Sequence, residues 1–127
     1  MYYTVPTSKT PTQAAADLAD AVTHNGFGLL HVHDLGATLR GKGLAFERQC
    51  QVFEVCSPQQ AAAVMAADMR LNMALPCRIS VYTDEGKTWI GMIRPVAMLG
   101  MLATDPTTAA IAREVEASLV RIIDAAC

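Results

Sequence analysis

The run Leu75-Pro76-Cys77-Arg78-Ile79-Ser80-Val81-Tyr82 opens a β-like segment with a thiol and a guanidinium directly after a proline. A cysteine in that position can serve as a nucleophile, a metal ligand or a small core residue, and its neighbours in sequence do not decide which. Alternation along a strand sends Cys77 to the face of Ile79 and Val81 and sends Arg78 to the opposite one. That separates the guanidinium from the thiol it would activate and favours a buried cysteine. A second group is His31-Val32-His33-Asp34. Side chains two apart on a strand share a face at about 7 Å, a separation that suits two imidazoles on one metal ion. Cys77 is the candidate third ligand of a His31, His33, Cys77 set. The competing reading makes the histidines an ordinary polar patch on a sheet, with Asp34 capping a short helix that starts near Leu35.

The other cysteines are Cys50, Cys56 and Cys127, and no C-x-x-C pair occurs, so neither a zinc ribbon nor a thioredoxin-type dithiol is indicated. Cys56 precedes Ser57 at the start of a helical pattern, where the positive helix end favours a thiolate nucleophile. Cys50 and Cys127 have no special context. A helix of roughly 13 residues between Cys56 and Cys77 would hold those thiols about 20 Å apart, too far for a disulfide. No phosphate-binding glycine loop is present, since Gly26-Phe27-Gly28 leads into a strand, and there is no G-x-S-x-G nucleophile turn.

The elements that must position these residues are marked by their ends. Thr10-Pro11-Thr12-Gln13 and Ser57-Pro58-Gln59-Gln60 each place a hydroxyl at the N-cap, proline at the first helical position and glutamine at N3, the pattern of a capping box. Asp105-Pro106-Thr107-Thr108 starts a third helix, which runs to Ala126 with Ala110, Ile111, Val115, Leu119, Ile122 and Ile123 as its apolar stripe. The first helix stops at Asn25-Gly26, the second near Arg70, and a short one spans Leu35 to Gly43. Strands are expected over Tyr2–Val5, Phe27–His33, Cys50–Cys56, Cys77–Tyr82 and Lys87–Arg94, the last two joined through Asp84-Glu85-Gly86. The fold class is therefore α+β: a two-layer sandwich with a mostly antiparallel sheet of about five strands and helices on one face. The order contains two β-α-β units. Gln13-Ala14-Ala15-Ala16 and Gln60-Ala61-Ala62-Ala63 occupy like positions in them, which raises an internal duplication as one explanation.

Length and composition set the frame. The chain of 127 residues, 52% hydrophobic, fits a single domain over 1–127 with a core that needs no disulfides. A net charge of −2 with mixed signs and no basic patch argues against nucleic acid as a partner. No apolar run approaches a membrane span, the longest being Val96 to Ala103, and the N-terminus lacks the pattern of a signal peptide. A cytoplasmic protein with reduced thiols is expected. The many methionines fit core packing, or an apolar dimer face around Trp89, Met92, Met98 and Met101.

Three segments taken together, Gly26-Phe27-Gly28-Leu29-Leu30-His31-Val32-His33-Asp34-Leu35, Phe53-Glu54-Val55-Cys56-Ser57-Pro58 and Leu75 to Tyr82, resemble the DUF302 family. The resemblance extends from the first strand to about Arg94. It implies a small two-layer α+β domain that forms a homodimer. The family has no established biochemical function, so the resemblance supplies no catalytic residues and names no cofactor. His33, Asp34, Cys56, Pro76, Cys77 and Arg78 match its typical residues and are candidates for a site or a fold constraint. The expectation is a non-enzymatic homodimer binding a small ligand or metal near His33 and Cys77, with Arg78 and Cys56 as further ligand contacts. The alternatives are a thiol-dependent redox or sulfur-carrier protein using Cys77 or Cys56, and an interaction module without a ligand.

Overall fold

The computed structural model describes Met1–Cys127. In chain order the elements are β1 (Tyr2–Thr7), α1 (Pro11–His24), β2 (Gly28–Asp34), α2 (Leu35–Gly41), β3 (Cys50–Cys56), α3 (Pro58–Ala67), a 3-10 segment (Met69–Ala74), β4 (Cys77–Asp84), β5 (Lys87–Ile93), α4 (Pro95–Leu102) and α5 (Pro106–Ala126). The strands form one sheet in the order β1-β5-β4-β3-β2, and every neighbouring pair is antiparallel. This is the expected α+β architecture. No helix is long and apolar enough to cross a membrane.

One face of the sheet is dry because alternation delivers apolar side chains to it from every strand. Phe53 and Val55 of β3, Ile79 and Val81 of β4, and Ile90 and Met92 of β5 are buried against Leu18 and Val22 of α1 and Leu119, Ile122 and Ile123 of α5. At about 25 cal/mol per Å² of apolar surface, this contiguous burial is the main term holding the layers together. A smaller cluster of Val64, Leu71, Leu99 and Ala112 ties α3, the 3-10 segment and α4 to the first half of α5. In α5 the buried stripe takes in Ala112 and Ala126, while Ile111 is only partly buried between the two clusters.

The helix starts differ more than their sequences suggest. Thr10 accepts a hydrogen bond from the Gln13 amide at 3.2 Å, and Asp105 one from the Thr108 amide at 2.9 Å. Ser57 makes no side-chain cap bond, and the Gln13 side chain donates to Asp17 instead of reaching back to Thr10. Neither capping box is thus closed. Asp34 does cap α2, accepting from the Ala37 amide at 2.9 Å. At Asp84-Glu85-Gly86, both Glu85 and Gly86 have positive φ, the conformation that lets two residues join β4 to β5 in a tight hairpin.

One expectation changes and one element is new. The β-α-β order occurs twice, but the two units are not equivalent: the first carries the chain across the whole sheet, from one edge strand to the other, whereas the second joins the antiparallel neighbours β3 and β4. The similar alanine runs therefore follow from helix chemistry and do not mark two like structural repeats. The apolar run after Arg94, which carries no helical period, forms α4 with Pro95 at its first position. An all-apolar sequence has no polar face to reveal its periodicity.

Candidate functional site

The face of the sheet turned away from the helices carries a grid of side chains fixed by register. One row runs His31, Glu54, Arg78 across β2, β3 and β4. The next runs His33, Val52, Ser80, Gly91, Thr4, and a third runs Cys50, Tyr82, Trp89, Pro6. A register irregularity between Leu29 and His31 leaves Leu30 exposed and unpaired, and the strand resumes with Val32 packed toward the core and both histidines on the open face.

The histidines stand edge to face, with ring centroids 4.3 Å apart. His33 Nε2 bonds the Glu54 carboxylate. This hydrogen bond holds the Glu54 carboxyl below the usual carboxylate range, with smaller contributions from the charges of His33, Arg78 and His31. The metal set does not assemble. Cys77 packs toward the helices, on the opposite side of the sheet from His31 and His33, and no group of three or more His, Cys, Asp or Glu side chains is placed to hold a metal ion.

The β4–β5 ladder closes at Ser80↔Gly91, although β4 begins earlier, at Cys77, and β5 continues to Ile93. The partners on either side keep pairing: β3–β4 reaches Val55↔Cys77 and β1–β5 reaches Tyr2↔Ile93. The sheet is therefore forked between its central strand, β4, and β5. A cavity of about 510 Å³ occupies the fork, within the usual range for small-molecule sites. Cys77, Arg78 and Ser80 line one prong, and Gly91, Met92 and Ile93 the other; Leu119 of α5 lies behind them. Tyr2, Thr4, Cys50, Val52 and Tyr82 extend the wall along the open face, and Met73, Ala74, Pro76, Pro95 and Met98 close the end. Gly91 is required there: a Cβ would lie 2.6 Å from Thr4 Cγ2 and 3.0 Å from the Tyr3 carbonyl.

Of the residues singled out from sequence, Cys77 and Arg78 line this cavity, while His31 and His33 stand beside it on the grid without lining it. Cys56 lines a second, much smaller cavity of about 20 Å³ together with Cys77 and Gln60. The expected 20 Å separation of Cys56 and Cys77 is overturned. The register pairs Cys77 with Val55, next to Cys56, and both thiols are free. The reason is a return path. The ten residues of α3 lead about 15 Å away from Cys56, and the six-residue 3-10 segment, packed against α3, brings the chain back by about 12 Å. Burial, and secondarily the nearby Cys56, push the Cys77 thiol up to about 11, which leaves it protonated and a poor nucleophile at neutral pH. The proposed methionine face also divides: Met92 is buried in the core, Met98 lines the cavity, and Met101 is exposed.

Residues 3–126 match the family described as Domain of unknown function DUF302. The chain belongs to the DUF302 family. Its fold is shared with the crystal structure of an uncharacterized conserved DUF302 protein from Bacillus stearothermophilus, at 33% identity and a TM-score of 0.94, over 99% of this chain and 98% of that one. No curated protein matches it. Sequence reasoning missed the fork of this DUF302 domain and with it Tyr2, Thr4, Ser80, Tyr82 and Met73. Ser80 and Tyr82 were within reach, because alternation puts them on the face of Arg78. Tyr2 and Thr4 were not, because only strand order brings β1 beside β5.

Proposed function

We propose that this DUF302 domain is a non-enzymatic, cytosolic homodimer that binds a small organic molecule in the fork between β4 and β5. The observation that carries this reading is the cavity itself: about 510 Å³, reaching the apolar side chains of Met92 and Leu119, with hydroxyl groups and one guanidinium along its wall. Cys77 lies on its wall, with burial pushing the thiol up to about 11, which disfavours the thiolate and supports a binding role over a nucleophilic one. Native mass spectrometry of gently purified protein tests this. A small organic molecule bound stoichiometrically, and lost in an Ala74→Trp variant that fills the end of the cavity, is the expected result. Unaltered mass in both proteins, with no melting-temperature shift across a small-molecule panel, counts against it.

The homodimer is proposed to form through Met69, Met73, Met101 and Leu102, which are exposed on the 3-10 segment and the adjoining α4. Light scattering should give twice 13.6 kDa, and Met101→Asp should halve it. A thiol-based function is the second reading, favoured by the diagonal placement of Cys56 and Cys77 on β3 and β4. It requires that iodoacetamide label Cys77 in the native protein near neutral pH; labelling only after unfolding removes it.

A further inference from the structure

The cavity has an uneven distribution of charge. Arg78 is the only charged residue on its lining; no Asp, Glu or Lys contributes. Arg78 takes part in none of the ion pairs of the protein. Its cross-strand partner is Glu54, whose carboxylate is engaged by His33. The guanidinium is exposed at the mouth of the fork, with its donors free of protein acceptors. Deeper in, the walls turn apolar at Met92, Met98 and Leu119. A guanidinium is the side chain best shaped to take two oxygens of a carboxylate, phosphate or sulfonate at once. An apolar wall gains by covering hydrocarbon and gives no partner to a second polar group.

We infer that the ligand of this cavity is an amphipathic anion, with its acidic head on Arg78 and its apolar body in the fork between β4 and β5. The hydroxyls of Ser80 and Tyr82 stand on the same strand as Arg78, and that of Tyr2 lines the cavity from β1, across the fork; the first two can donate to the head group beside the guanidinium. A cation would meet Arg78 as a like charge, and a neutral molecule of the same shape would leave the guanidinium unused. This inference rests on the cavity being a ligand site, as proposed above, and adds the chemical class of the ligand.

Three probes with one ten-carbon tail separate the two claims: decanoate, decanol and decyltrimethylammonium, each kept below its micelle concentration. Binding is followed by calorimetry and by the fluorescence of the single tryptophan, Trp89, which pairs with Tyr82 beside the cavity. Decanoate should bind once per chain and at least about tenfold more tightly than decanol, the difference expected of a charge-assisted hydrogen bond. Decyltrimethylammonium should be the weakest of the three. Arg78→Gln should bring decanoate down to the affinity of decanol and leave decanol unchanged, whereas Ala74→Trp should remove both. Equal binding of decanoate and decanol, unaffected by Arg78→Gln, overturns the anion and leaves the apolar cavity standing. Failure of all three probes to bind overturns the cavity reading as well.

Discussion

Along β4, Ile79 and Val81 face the helices and are buried, while Arg78, Ser80 and Tyr82 face away and keep contact with solvent. The same division holds on β3, where Phe53 and Val55 enter the core and Cys50, Val52 and Glu54 stand on the open face. The two faces obey different constraints. On the helical side each position must fill space against α1 and α5, so volume and polarity are fixed by packing. On the open side no layer covers the sheet, and the polar side chains are arranged by register alone. The fork in the sheet is where the two meet, since it opens a path from the polar face to Leu119 behind it.

The sharpest way to break this comparison is to cut one residue from each face at adjacent positions. Ile79→Ala removes a fully buried side chain and should cost about 2–5 kcal/mol in denaturant unfolding. Ser80→Ala, one residue on, removes a hydroxyl from the open face and should stay within about 0.5 kcal/mol. Similar losses at both positions would mean that the open face is covered and packed like a core.

Gly91 tests the grid in the other direction, by addition. Its position offers no room for a methyl group, because Thr4 and the Tyr3 carbonyl lie over it. Gly91→Ala should therefore cost about 1–3 kcal/mol through displacement of β1. Combining it with Thr4→Ala should recover only part of the loss, since that change removes the contact at 2.6 Å and leaves the carbonyl at 3.0 Å. Full recovery would show that the side chain of Thr4 alone sets the limit.

The faces also differ in how far sequence reveals them. Alternation at Cys77, Ile79 and Val81 marks the buried side of β4, and the stripe from Val115 to Ile123 marks the face of α5 that covers it. Both are local periodicities, so they are legible without knowing which strands are neighbours. The cavity depends on a different kind of fact. Tyr2 and Thr4 are distant in sequence from Arg78 and Ser80, and they meet only because β1 pairs with β5 and β5 with β4. The nearness of Cys56 and Cys77 is hidden for the same reason: a helical pattern running to Arg70 predicts distance, and the 3-10 return that cancels it has no period of its own.

Helix caps give a smaller effect within the covered layer. Thr10 bonds the Gln13 amide, so Thr10→Ala should cost about 1 kcal/mol. Ser57 occupies the same motif without that bond, and Ser57→Ala should be nearly neutral by the same unfolding measurement. Equal costs would mean that Ser57 caps α3 in solution.

The smallest effect is electrostatic and distinguishes the faces by pH. Glu54 on the open face is held below its ordinary value of 4.5 first by the His33 hydrogen bond. On the helical layer Asp17 and Asp105 are held low as well, by Lys9 and by the Thr108 amide respectively. In each case the folded state takes up the proton later than the unfolded chain as pH falls. The stabilisation is thus complete above the ordinary carboxylate range and is lost as pH drops through the depressed folded value. Glu54→Gln keeps an acceptor for His33 and removes the titration, so it should reduce the slope of stability against pH below about 4.5 without abolishing it. Asp105→Asn should take out a separate share of that slope, and the two changes should add, because residues on opposite faces of the sheet share no partner. Non-additive slopes would show that the open face and the helical layer titrate as one unit.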